Sequence, residues 1–247
     1  MASNGNSNGG EFDYFRIRRE VTDALQRAAD GKLRPRHIPL SSIRVPSTPL
    51  TKAATTLAEA ELPASIFSHC LRTYYFGTII ATDIFPDLGW DPETFYLAAL
   101  LHDVKCTSHA FRQSHVSFEL HGGMAARTFL VDVAGAPPRL GDTVMESICR
   151  HKDVDTGSYG FSPEAQMLRF GAQLDALGYY ADLIHPDTVA EVVEAYPRLD
   201  FNTVFADTLV EEAHVKRYCT SVLLLVPDGI QTVIRRNPVF KAYDNWN

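Results

Sequence analysis

The residues with most chemical promise are His102 and Asp103, side by side at the end of the apolar stretch TFYLAALLHDV. Burying an ionised carboxylate costs several kcal/mol unless it is paired or bound to a cation. An imidazole nitrogen next to a carboxylate oxygen makes a borderline ligand pair, suited to zinc, iron or manganese. Alone, the dipeptide says little, because a polar helix end reads the same way. The surrounding residues add weight. His69 stands 33 residues upstream among apolar Ile66, Phe67 and Leu71. His121 opens H-G-G-M-A-A, where small residues allow helices to approach closely. His151 closes I-C-R-H-K-D, and Asp175 lies inside QLDALGYY. A polar group on an apolar helix is expensive without a partner. The ordered series H…HD…H…H…D therefore needs partners for its polar groups, and a bound cation is one that these donor types suit.

Helices must carry these groups. Glu11 to Ala29 repeats its apolar residues with a period near 3.6, and Gly31 is a natural stop. Leu33 to Pro49 holds four prolines and reads as a surface connector. Thr51 to Glu61 suits a short helix. Pro63 suits the first turn of the next one, which carries His69. Asp91-Pro92 reads as an N-cap followed by proline at the first helical position, opening the helix that ends in His102-Asp103. Glu119 to Ala134 and Gly141 to Lys152 follow, separated by Gly135-Ala136-Pro137-Pro138. Pro163 opens a helix through Tyr180 that contains Asp175. Asp187 to Tyr196 and Asn202 to Leu225 supply two more. Alternating strands and hairpin signals are missing. The expected fold class is all-α: a tail at 1–10, an N-terminal helical extension at 11–61, and a helical domain at 62–247.

Composition removes several classes. With 247 residues, 45% hydrophobic and 21% charged, the chain has the values of a folded domain with a sizeable core. A net charge of −7 argues against a nucleic-acid partner. No apolar run approaches the roughly 18 residues of a membrane span. Four cysteines without a CxxC pair speak against a disulfide scaffold. Met1 to Gly10, MASNGNSNGG, lacks the features of a signal peptide, so a cytoplasmic location is expected. Cys106, without a paired base, reads as an incidental thiol. No phosphate-binding glycine motif is present.

Taken together, HCLRTYYFGTIIA (His69 to Ala81), LLHDV (Leu100 to Val104), SFELHGG (Ser117 to Gly123), RHKDV (Arg150 to Val154) and LDALG (Leu174 to Gly178) resemble the HD-domain superfamily of metal-dependent hydrolases, and within it the fungal cyanamide hydratases. The resemblance spans roughly Leu62 to Tyr180 and implies an HD-domain helical bundle with the metal between its helices. It also implies that His69, His102, Asp103 and Asp175 hold one metal, zinc or iron, with Asp103 orienting a water. His121 and His151 match positions that two-metal members use. Three letters depart from the hydratase pattern: His121 where an aromatic residue usually stands, Lys105 where Gly does, and Lys152 where Glu does.

The resemblance implies an enzyme, a hydro-lyase or hydrolase of a small molecule, in which metal-activated water adds to a nitrile-like, C=N or C=O carbon. Asp103, Lys105 or Lys152 would supply the proton. The two lysines would also suit an anionic substrate. Phe118 and Tyr179 are the aromatics expected at the substrate. A dinuclear iron oxygenase and a phosphohydrolase are alternatives built from the same ligands. A non-catalytic scaffold would have lost one or more of them. The C-terminal segment is apolar enough to serve a homo-oligomer.

Overall fold

The computed structural model describes residues 16–153, 160–221 and 229–244. Its elements are α1 (Arg16–Ala29), α2 (Pro49–Glu61), α3 (Ala64–Ile84), α4 (Pro92–Leu101), α5 (Ser108–Phe111) and α6 (Phe118–Thr128). After a π turn at Phe129–Val133 come α7 (Pro138–Arg150), α8 (Pro163–Leu177), α9 (Pro186–Ala195), α10 (Phe201–Val215) and α11 (Ile230–Arg235). No strand occurs among the described residues, so the fold is all-α as expected. The expected tail at 1–10 and the last residues, 222–225, of the helix expected to reach Leu225 lie outside the described residues.

Helix boundaries follow from capping chemistry. The Asp91 carboxylate accepts from the Thr94 N–H at 2.8 Å, with Pro92 at the first helical position of α4. Ser162 does the same for α8 ahead of Pro163. A reciprocal pair, Thr48 and Thr51, starts α2. At the other end, Gly178 takes φ +77°, which stops α8 at Leu177, three residues short of the Tyr180 expected from periodicity. The helix expected to run from Asn202 to Leu225 likewise stops at Val215. There Lys216 leaves the helical path and its buried ammonium donates to the Val116 carbonyl and to Glu212.

The core is organised around α3, whose side chains are buried on nearly every face. Its closest neighbour is α8. Glycines make the crossing possible: a methyl at Gly171 would overlap the Thr73 carbonyl, and one at Gly77 would collide with Phe95 and the Met167 carbonyl. This close approach sets His69 on α3 against Asp175 on α8. Helix α4 lies alongside both and delivers His102-Asp103 at its C-terminus. The N-terminal extension shares this core, with Ala54 and Ala58 of α2 fully buried, while Arg44 offers its carbonyl to the Tyr74 hydroxyl. No disulfide links the described cysteines, and no described helix is long and apolar enough to cross a membrane.

The α3–α8 crossing makes a direct prediction. Gly171→Ala should destabilise the fold by about 3 kcal/mol, the upper range for overpacking. Urea denaturation measures this as a lower midpoint, and an unchanged midpoint would refute the tight crossing.

Candidate metal centre

Three imidazoles converge here, and each is held by its Nδ1. His102 caps the C-terminus of α4 and its Nδ1–H donates to the Ala99 carbonyl at 2.7 Å. His151 caps α7 in the same way, donating to the Ile148 carbonyl at 2.7 Å. Both rings satisfy a carbonyl that a helix end leaves without a partner. His69 donates its Nδ1–H to the Asp175 carboxylate at 2.7 Å. Since each acceptor is an oxygen, the proton sits on Nδ1 and the neutral ring leaves Nε2 as a lone pair. Burial favours that neutral state, pushing His151 well below the usual histidine range, with His102 adding to it. Burial lowers His69 too, against the opposing pull of Asp175.

The Nε2 atoms of His69 and His102 face each other at 3.2 Å. Two lone pairs at that separation repel unless a cation lies between them. Two nitrogens about 2.0–2.1 Å from one zinc, at a tetrahedral angle, lie about 3.3 Å apart. Asp103 completes the group: its Oδ2 is 3.4 Å from His102 Nε2 and 3.7 Å from His69 Nε2. Asp103 is fully buried, and neither of its carboxylate oxygens has a hydrogen-bond partner among the described residues. Such an orphaned carboxylate beside two facing lone pairs is the environment of a cation site. The residues present fit a divalent metal, with His69, His102 and Asp103 as the donor set.

The resemblance implies Asp175 as a further metal ligand; in the structure its carboxylate meets His69 and two arginines. It contacts the Nδ1 side of His69, opposite the Nε2 that faces His102, and its oxygens are taken. Arg72 grips both oxygens at 2.9 and 2.8 Å, and Arg198 donates to Oδ1 at 2.6 Å. Burial alone would raise the Asp175 carboxyl, but Arg198, Arg72 and His69 together hold it below the usual carboxylate range. Asp175 thus orients His69 and strengthens it as a donor. Arg198 in turn pairs with Asp244 at 2.6 Å. Spacing alone does not mark Arg72, Arg198 or Asp244, although Arg72 stands three residues after His69 in an apolar helix.

The other expected site residues are distributed around this group. His121 is not one of the three converging donors. It is half-buried, and burial together with the charges of Lys105 and Lys216 lowers its pKa. His151 lines the cavity with His69 and His102, its ring centroid 5.1 Å from that of His102. Lys105 reaches Glu61 at 3.2 Å and does not line the cavity. Lys152 does line it, with Nζ 4.4 Å above the Phe118 ring and 2.9 Å from the Thr220 hydroxyl. Phe118 is fully buried behind Lys152 and His151, and so supports the cavity without lining it. Tyr179 stands half-exposed at the rim. Burial and the Asp103 charge raise the Cys106 thiol well above its usual range, consistent with a structural role.

An all-helical bundle with a His, His-Asp centre beneath a cavity is the arrangement of the HD-domain hydrolases. This chain belongs to the HD-domain family, whose model matches residues 66–184. Cyanamide hydratase DDI2 and cyanamide hydratase DDI3 of Saccharomyces cerevisiae are each 31% identical to it over 202 residues, 82% of this chain and 87% of theirs. The protein is an enzyme of the metal-dependent hydratase and hydrolase class.

The position of Asp175 predicts how its loss will read out. Asp175→Asn should weaken divalent-metal affinity by about 10–100-fold, the usual effect of losing a partner behind a ligand. Asp103→Asn should abolish stoichiometric binding. Competition with a chromophoric chelator measures both. Equal, complete loss in the two variants would return Asp175 to the ligand set.

Proposed function

We propose that this enzyme hydrates a carbon–nitrogen multiple bond of the cyanamide or nitrile type, using one divalent ion held by His69, His102 and Asp103. The observation that carries the reading is the convergence of two Nε2 lone pairs and an orphaned carboxylate at the base of a cavity. Three protein donors leave coordination positions for water and substrate, as catalytic sites require. A divalent ion there supplies Lewis acidity and lowers the pKa of a water. The names of the two yeast relatives favour hydration over other HD chemistry.

The chain's own groups suit the proton traffic. His151 lines the cavity with its Nδ1 committed to the Ile148 carbonyl, so Nε2 is the nitrogen left to exchange a proton. Lys152 holds its ammonium at the same wall, able to donate to a nitrogen that gains electron density. Lys152 is steadied by Thr220 and Ser221 and lies 3.5 Å from Glu119, so its charge is already balanced. With Lys105 turned to Glu61, an anionic substrate or a phosphate ester finds little support. One ion fits better than two, since His121 lies beside cations and outside the donor group. Zinc suits this chemistry better than iron, because hydration needs no redox change. A reducing, cytoplasmic setting belongs to the same reading.

Chelator-stripped protein should lose cyanamide hydration and regain it with about one equivalent of zinc per chain. Lys152→Met should lower kcat by about 100-fold, within the range for a proton donor, while elemental analysis still finds the metal. Urea release measured by a coupled assay tests both. Full activity after stripping would end the proposal.

A further inference from the structure

The cavity over the metal centre is too large and too apolar for cyanamide alone. Its volume is about 370 Å³. That equals roughly twelve waters at about 30 Å³ each, and falls in the range of pockets that enclose whole organic ligands, about 300–1,000 Å³. Cyanamide, with its few atoms, would occupy only the floor, next to the histidines. The apolar side of the wall comes mostly from three helices. Ala172 and Ala176 stand one turn apart on α8, Phe205 and Leu209 one turn apart on α10, and Ile234 projects from α11. Larger side chains at 172 and 176 would fill the gap between the helices. The two alanines leave the space open.

Resting on the hydration reading above, we infer that the substrate is a substituted nitrile or cyanamide with an uncharged alkyl or aryl arm. Its C≡N carbon meets the histidine floor, and the arm lies in the gap between α8, α10 and α11. At the polar side of the cavity Lys152 lies beside Glu119. Arg169 donates to the Asp153 carbonyl and its guanidinium lies 4.4 Å over the Phe161 ring, while its buried Nε has no hydrogen-bond partner among the described residues. The arm is assigned to the apolar side, where no charged side chain stands. For an alkylcyanamide the step balances as R–NH–C≡N plus H2O giving R–NH–CO–NH2. Water's oxygen bonds to carbon, and its two protons end on the nitrogen that was triple-bonded.

The test uses the zinc-loaded full-length chain. Calorimetry with urea, methylurea, propylurea and hexylurea measures binding of the products. Kd should fall by about three- to fourfold per added methylene until the gap is filled, the gain expected for burying a CH2 group. In parallel, kcat/KM is measured for cyanamide and the matching N-alkylcyanamides, and should rise with chain length. Ala176→Phe, which fills the gap, should flatten both dependences. Kd that is flat or rises with chain length overturns the inference, even if cyanamide is hydrated well. Alkylureas that bind more tightly with length, while no cyanamide of any length is hydrated, uphold the arm-binding cavity and overturn the hydration reading. Because the wild-type ureas carry the primary readout, the inference can be judged even if Ala176→Phe fails to fold.

Discussion

A carboxylate without a hydrogen bond, buried beside two imidazole lone pairs, is not stable in a protein interior by itself. Asp103, His69 and His102 make that arrangement, and much of the bundle keeps it in place. Removing an ionised group from water costs several kcal/mol. Three groups that all accept and none that donates can be relieved only by a cation. The surroundings offer no alternative. Arg72 and Arg198 are buried nearby, but both are engaged by Asp175, and Arg198 also by Asp244. Two arginines against two carboxylates leave no positive charge over for Asp103. The second layer is nearly neutral within itself, and the deficit is confined to the metal centre.

That second layer also explains the choice of helices. Asp175 must meet His69 from behind, so α3 and α8 have to cross at close range. The glycines at 77 and 171 permit this, because any side chain would strike backbone or a buried ring. Arg198 and Asp244 then tie the end of the chain to the same carboxylate. A change at Asp244 would reach the centre through Arg198, Asp175 and His69, each step a hydrogen bond of 2.6–2.7 Å. The coupling is through contact, and needs no movement of a helix.

Several features could be read from residue type and spacing, and others could not, for physical reasons. Helix starts at Asp91 and Ser162, and the stop at Gly178, are written in single residues whose side chain or φ sets the boundary. The His-Asp pair was visible because charge at the end of an apolar helix is costly. The arginines around Asp175 are not legible, because a metal ligand and an acid behind a ligand both read as one polar letter in an apolar helix. His121 and His151 look equivalent in sequence, yet only His151 reaches the cavity, because it ends α7 and its ring turns back onto the Ile148 carbonyl. The alanines at 172 and 176 gave no signal, since a small residue in a packed core and one beside a void are the same letter. The apolar run toward Leu225 suggests a longer α10, but the backbone turns extended at Lys216, whose buried ammonium donates to the Val116 carbonyl and Glu212.

The placement of His102 and His151 at helix ends serves more than geometry. A helix carries about half a negative charge at its C-terminus, and the effect fades within a turn. Helices α4 and α7 both end at the centre, at His102 and His151, so both aim that partial charge at the place where the cation is needed. The apolar wall on α8, α10 and α11 keeps the local dielectric low, which strengthens the same attraction. A wall that only filled space would be more stable closed. Left open, it would serve both the charge at its floor and, on the inference above, an uncharged substrate arm over it.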